Sequence, residues 1–164
     1  MWEEIWTGVR AEFLDLPRGV EVAKLIVRLL VAALLGGALG YERERSGKSA
    51  GVRTHMLVAM GSAFFVLIPE RAGMEFEDLS RIIQGLTAGI GFIGAGSILK
   101  QSEQGRVQGL TTAAGIWMTA AVGTAVGLGR EASAVLGTFL TLLILRAVHF
   151  RVSGNRPEDS ETNA

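Results

Sequence analysis

Residues 110–128 read LTTAAGIWMTAAVGTAVGL and residues 82–99 read IIQGLTAGIGFIGAGSIL, and neither stretch contains Asp, Glu, Lys or Arg. A helix rises ~1.5 Å per residue, so each stretch, with a residue or two of flank, can cross hydrocarbon ~30 Å thick. All 16 basic and all 16 acidic residues lie elsewhere in the chain. This distribution predicts an integral membrane protein made of helices, and not a soluble enzyme.

Three further apolar segments extend the prediction outward from these two spans: Val20–Tyr41, Val52–Ile68 and Ala132–Phe150. We expect Pro69 to end the second of them, because proline interrupts a helix. The predicted fold is all-α, a polytopic membrane helical bundle of about five transmembrane helices with an N-terminal interfacial amphipathic helix. The predicted boundaries are 1–17 for the interfacial helix, 18–152 for the transmembrane domain and 153–164 for a disordered polar tail.

The N-terminal segment carries apolar side chains at three- and four-residue spacing, among them Trp2, Trp6 and Phe13. This spacing gives a helix one apolar face. Such a helix can lie in the membrane interface, where tryptophan is favoured, or pack on the protein's own surface. The sequence leaves both interpretations open.

Composition excludes several classes of function. The chain has no cysteine, a formal net charge of +0 and a mean hydropathy of +0.36. The lack of cysteine rules out disulfides, thiolate metal sites and a cysteine nucleophile, and the zero net charge gives no reason to expect nucleic acid as a partner. Residues Gly89–Gly94 match the dinucleotide pattern G-x-G-x-x-G, but the strand and acidic residue that this motif requires are missing. We expect no enzymatic activity and no cofactor.

Positive charge predicts how the chain crosses the membrane. With five spans, nine Lys and Arg residues fall on one side and seven on the other. Short loops rich in Lys and Arg stay in the cytoplasm. We therefore expect the N-terminus outside and the C-terminus in the cytoplasm.

Small residues four apart form stripes on several predicted spans. The stripes are Gly36 with Gly40, Gly85 with Gly89, and Gly115 with Thr119, Gly123 and Gly127. Lipid provides no hydrophobic drive between helices, so close approach through small residues supplies the attraction. We expect these stripes to pack against helices, of the same or another subunit. The irregular spacing of glycines in residues 89–96 predicts a kink or a break in that helix.

The densest polar segment is residues 41–55, YERERSGKSAGVRTH, which joins the first two spans. Together with residues 100–109 it is predicted to form a vestibule on the cytoplasmic side. The N-termini of spans two and four favour anions there, whereas Glu42 and Glu44 favour cations. Pairing of Arg with Glu and with lipid phosphates is the simpler interpretation. Arg28, inside the first span, should face the bundle or a polar cavity, but the sequence does not identify its partner.

Four motifs, in this order and spacing, resemble the membrane domain of the MgtC/SapB family: GYERE at 40–44, AGVRTH at 50–55, GIGFIGAG at 89–96 and VQGLTTAA at 107–114. The resemblance implies a bacterial inner-membrane protein linked to magnesium limitation. It also implies two kinds of activity, because members are often labelled magnesium transporters and are also credited with regulating other membrane proteins, including the proton-driven ATP synthase. Longer members carry a soluble C-terminal domain, so we expect this chain to be a short form without it.

The candidate ligand or ion site follows from the resemblance and from the polar segment. Its residues are Glu42, Arg43, Glu44, Arg53, Thr54, His55, Gly91, Gly94, Gly96, Arg106, Gly109, Thr111 and Thr112. Glu42 is the candidate metal ligand, and Mg²⁺ is a candidate ligand or substrate. A regulator of ion homeostasis or of another membrane protein is the first hypothesis, and a Mg²⁺ transporter or channel is the second. Against the second, the interiors of spans two to four contain no carboxylate, and Mg²⁺ usually needs one or two.

The expected partners are the lipid bilayer, further copies of the chain in a homo-oligomer, and another membrane protein. Five short loops leave little surface for a soluble partner. A partner protein would therefore dock through helices within the bilayer.

Overall fold

A computed structural model describes residues 1–12, 19–99 and 108–153, and these residues form six α-helices without any strand. The helices are Trp2–Glu12 (α1), Val20–Arg45 (α2), Val52–Arg71 (α3), Phe76–Leu99 (α4), Leu110–Gly127 (α5) and Glu131–Ser153 (α6). The all-α prediction is confirmed. The predicted tail lies, apart from Ser153, outside the described residues.

Among the described residues, the three helices α2, α3 and α5 are long and apolar enough to cross a membrane. α4 and α6 contain the whole of the other two predicted spans. The prediction for Pro69 was wrong in detail, because α3 continues to Arg71 and the proline lies in its last turn. Proline is tolerated there because only one backbone hydrogen bond is lost, the one that an N–H at this position would donate, and because the helix ends two residues later.

α3 lies between α2 and α5, and glycines let the three backbones come close. A Cβ added at Gly40 would lie 2.6 Å from the Val52 Cα, and one at Gly127 would lie 2.6 Å from the Ala63 carbonyl oxygen. The core around these contacts is built of small side chains such as Ala59 and Ala63, both fully buried. Packing of the first and last glycine stripes is therefore confirmed.

The stripe on α4 behaves differently. α4 packs mainly against α5, and added Cβ atoms at Gly85 and Gly89 would meet no atom within 4 Å. The expectation that this stripe packs is therefore not met within the chain, because α4 turns these glycines outward. Of the predicted kink or break in this helix, the break was wrong, since α4 runs without interruption from Phe76 to Leu99, and the kink stays a prediction.

α1 is exposed along its described length. Trp2 is 84% exposed and Trp6 is 61% exposed, and the Arg10 guanidinium lies 5.8 Å from the Trp6 ring centre. α1 forms no extensive contact with the other described helices. Packing of α1 on the bundle is therefore not seen among the described residues, and its place in the membrane interface stays a prediction.

The helices alternate in direction, so their polar ends collect at two opposite ends of the bundle. At one end, Arg28 of α2 donates to Glu70 of α3 and to the Gly127 carbonyl of α5, and its Nε lies 3.5 Å from Glu131 of α6. These are the partners that the sequence did not identify. The other end contains the C-terminal turns of α2 and the start of α3, which carry most of the candidate site.

Candidate functional site

Glu42 and Arg43 form a buried ion pair in the last turns of α2. Their side chains are only 7% and 4% exposed, and the Arg43 guanidinium bonds the Glu42 Oε2 through both Nε and Nη2. The Ser46 hydroxyl donates to Glu42 Oε1 over 3.0 Å. Both carboxylate oxygens are thus bonded by the chain itself. A buried charge needs such bonds, because an uncompensated one is strongly destabilising.

The start of α3 is held by Glu44. The Val52 N–H donates to Glu44 Oε2 over 2.9 Å, and Gly51 leaves the space that this carboxylate occupies. A helix N-terminus favours an anion because its first N–H groups have no partner within the helix. The anion predicted for this N-terminus is therefore the chain's own Glu44.

His55 lies one turn further along α3 and is fully buried. Its Nδ1 is 3.0 Å from the Gly51 carbonyl oxygen, and because a carbonyl can only accept, Nδ1 must donate. Nε2 is buried without a partner among the described residues. In the neutral ring this nitrogen is an acceptor, and it faces α5, where a Cβ at Gly115 would lie 3.6 Å away.

Thr112 of α5 supplies a second unpartnered group. It lies one turn before Gly115, is 1% exposed, and its Oγ1 has no hydrogen-bond partner among the described residues. A buried polar atom left unsatisfied costs about 1–3 kcal/mol, so a water or a small polar group is the usual partner of such an atom. We call Glu42, Arg43, His55 and Thr112, together with the half-buried Ser46, the buried polar cluster, because Gly115, one turn along α5 from Thr112, lies against both His55 and Arg43. Gly115 borders this cluster, because a Cβ there would also lie 3.8 Å from Arg43 Cδ.

The structure brings together only part of the predicted site. Glu42, Arg43, His55 and Thr112 are buried, with Glu44 beside them at the start of α3. The other residues are spread around the bundle: Arg53 and Thr111 are exposed, Thr54 is half-buried, Gly94 contacts Ala113 of α5, and Gly91 and Gly96 face open space. Gly109 has a φ of +90 and lies against Ser97 of α4, where a Cβ would come within 2.8 Å of the backbone oxygen. Arg106 lies outside the described residues.

The structure describes only part of the predicted vestibule, because residues 100–107 lie outside the described residues. Helix α2 continues to Arg45, so the connector is only residues 46–51, and Glu42 and Arg43 lie inside the bundle instead of lining an open mouth. Opposite charges on adjacent residues neutralise each other, which lets the pair enter the interior. The described residues contain no group of three or more His, Cys, Asp or Glu side chains that could hold a metal ion.

Sequence reasoning missed Ser46 and Gly115 as site residues. Ser46 follows Glu42 by four residues, so extension of α2 by one turn would have revealed the contact. Gly115 was recognised only as a packing glycine. Its role at the site depends on which helix lies opposite, and local sequence does not record that.

Comparison with known proteins identifies the family. The model of the MgtC family matches residues 29–152, which include every described residue of the buried polar cluster. The chain belongs to the MgtC family. It is 48% identical to protein SrpB of Synechococcus elongatus over 141 residues, which cover 79% of this chain and 77% of SrpB. The bundle is therefore that of a membrane protein.

Two other relatives are longer than this chain. The putative magnesium transporter YhiD of Escherichia coli is 42% identical over 77% of this chain and 61% of its own length. Protein MgtC of Salmonella typhimurium is 37% identical over 78% of this chain and 55% of its own length. The chain thus spans little more than half the length of these MgtC-family relatives. No solved structure matches it.

Proposed function

We propose that this protein is a multi-pass inner-membrane regulator that serves magnesium homeostasis or adaptation to low magnesium. The link to magnesium rests on the printed name of its relative YhiD, a putative magnesium transporter, and on the family. The regulatory site is the buried polar cluster, which lies at the cytoplasmic end if the N-terminus is outside. The proposal assigns the chain no enzymatic activity.

The observation that carries this proposal is the bonding of Glu42. Both of its carboxylate oxygens accept hydrogen bonds, one set from Arg43 and one from Ser46. Mg²⁺ binds through carboxylates and retains several waters, so it would have to displace these bonds and then sit beside the Arg43 guanidinium. The bonding of Glu42 therefore favours regulation over transport. The Glu42–Arg43 pair is suited to a contact that rearranges between two states of the bundle, and not to the lining of a path for ions.

The unpartnered atoms of His55 and Thr112 allow a second arrangement of hydrogen bonds in this cluster. These atoms lie on α3 and α5, two helices that pack against each other. A small relative shift of these helices, or a bound water, would change which polar groups are satisfied. A state that satisfies them would differ in helix packing, and helix packing is what a partner within the bilayer can detect.

The second candidate function is transport of Mg²⁺. The name and 42% identity of YhiD favour it. The bonding of Glu42 argues against transport, because both of its carboxylate oxygens already accept hydrogen bonds. Transport and regulation differ in one measurable respect, because only transport moves the ion through the purified protein.

The deciding experiment is Mg²⁺ uptake into proteoliposomes that contain only this protein. Wild type, Glu42→Gln and Arg53→Ala are compared with Glu75→Gln, an exposed carboxylate outside the cluster. We expect no uptake above protein-free vesicles for any of them. In cells that depend on this protein for growth at low magnesium, we expect Glu42→Gln to fail and Glu75→Gln to grow when both variants are present in the membrane at the level of wild type. Robust uptake that Glu42→Gln abolishes would replace regulation by transport.

We further assign homo-oligomer formation, and contact with another membrane protein, to the outward face of α4. Lipid-facing surfaces elsewhere carry bulky side chains such as Leu34 of α2 and Ile144 of α6. On α4, Cβ atoms added at Gly85, Gly89 and Gly96 would meet nothing within 4 Å, and the exposed Phe92 lies on the same side of the helix. Exposed glycines allow another helix to approach the backbone closely.

A further inference from the structure

A charged cavity lies at the end of the bundle opposite the buried polar cluster. Its volume is about 280 Å³. Leu25 and Leu67 form its apolar floor, and its charged walls are Glu21, Lys24, Arg28, Glu70 and Arg71. The cavity lies between the start of α2 and the end of α3.

The charges in this cavity are unevenly matched. The Glu21 carboxylate accepts from Arg71 over 2.9 Å, and Glu70 accepts from Arg28 over 3.3 Å. Lys24 is exposed and forms no ion pair with any carboxylate of the described residues. Arg28 also lies 3.5 Å from Glu131 of α6, so both arginines are matched by carboxylates, and Lys24 is the one cation lining the cavity that has no such partner among the described residues. The group that suits Lys24 is an anion, whereas a metal ion would find neither of the lining carboxylates free of an arginine.

The position of the cavity relative to the membrane indicates which anion. The uninterrupted apolar run of α2 starts at Leu29, directly after Arg28, so the cavity lies where hydrocarbon gives way to headgroups. Val27, one turn from Lys24, is 55% exposed, and Leu30 is 57% exposed. These side chains offer apolar surface for acyl chains directly below the charged cavity. A soluble anion would gain nothing from that surface.

We propose that this cavity binds the phosphate of an anionic membrane lipid, with the Lys24 ammonium as its principal contact and Arg28 and Arg71 as flanking charges. Basic pockets between transmembrane helices are suited to phosphate headgroups. The two arginines stay bonded to their carboxylates and hold the walls in place. Binding therefore ties a lipid to α2 and α3, the two helices that also carry the Glu42–Arg43 pair and His55.

The test measures lipid selectivity directly. Purified protein is reconstituted in phosphatidylcholine vesicles, and spin-labelled phosphatidylglycerol competes with spin-labelled phosphatidylcholine for the protein surface. We expect wild type to favour phosphatidylglycerol by about fivefold, the size of one lysine contact near a membrane surface. Lys24→Gln should bring the ratio close to one. Lys24 is exposed, so we expect this variant to fold.

Lys48→Gln is the matched control, because Lys48 is an exposed lysine in the connector at the other end of the bundle. It should retain the wild-type ratio. Equal selectivity of wild type and Lys24→Gln would overturn the proposal. So would a wild type that binds inorganic phosphate in pure phosphatidylcholine vesicles but shows no preference between the two lipids, since the anion would then be soluble phosphate.

Discussion

Glu42 and Arg43 illustrate how a charged pair can belong to the interior of a membrane bundle. Side chains of adjacent helix residues normally point in different directions, yet here the Arg43 guanidinium returns to its neighbour's carboxylate. Ser46 bonds the remaining oxygen over 3.0 Å. The sequence predicted that Arg and Glu would pair in this segment, but a run of charges resembles a solvated connector, so the burial of the pair could not be predicted.

The pair allows a prediction about stability. Glu42→Gln leaves the Arg43 charge buried without a counterion and should lower the free energy of unfolding by about 3–5 kcal/mol. The double variant Glu42→Gln with Arg43→Gln removes both charges, so it should recover most of that loss. Thermal unfolding of the purified proteins in one detergent, with Glu75→Gln as the control, measures the differences. A double variant less stable than Glu42→Gln would show that the charges do not act as a pair.

At the scale of helices, identical sequence patterns have different structural roles. Gly36 and Gly40 are four apart on α2 and meet α3, whereas Gly85 and Gly89 are four apart on α4 and meet nothing within 4 Å. The helices themselves, their approximate ends and the packing of α2 could be predicted from apolar runs and small-residue spacing. Which face of α4 turns inward could not, because several faces of this helix are made of small residues.

This difference can be measured with one substitution on each helix. Gly40→Ala places its Cβ 2.6 Å from the Val52 Cα, and overpacking of this kind costs about 1–3 kcal/mol. Gly89→Ala meets no neighbour and should gain up to about 1 kcal/mol from helix propensity. Unfolding of the monomer, isolated in a detergent that separates subunits, should therefore rank Gly89→Ala at or above wild type and Gly40→Ala below it. A Gly89→Ala monomer less stable than the Gly40→Ala monomer would contradict the outward orientation of Gly89.

At the scale of the whole molecule, ion pairs and hydrogen bonds show that the described helices alternate in direction. Arg28 joins α2 to the end of α3, the end of α5 and the start of α6, while Glu44 joins the opposite end of α2 to the start of α3. The connectors at residues 46–51 and 72–75 must therefore lie on opposite sides of the membrane. The distribution of Lys and Arg predicts that residues 46–51 face the cytoplasm.

The absence of cysteine in the sequence makes this orientation directly testable. Lys48→Cys and Met74→Cys each introduce one thiol at an exposed position, in the first and second connector respectively. A membrane-impermeant maleimide added to intact spheroplasts should label Met74→Cys, and it should label Lys48→Cys only after lysis. Labelling of Lys48→Cys alone in intact spheroplasts would reverse the orientation. The buried polar cluster would then lie at the outer end of the bundle. The lipid cavity would lie at the cytoplasmic end and would select its headgroup from the cytoplasmic leaflet.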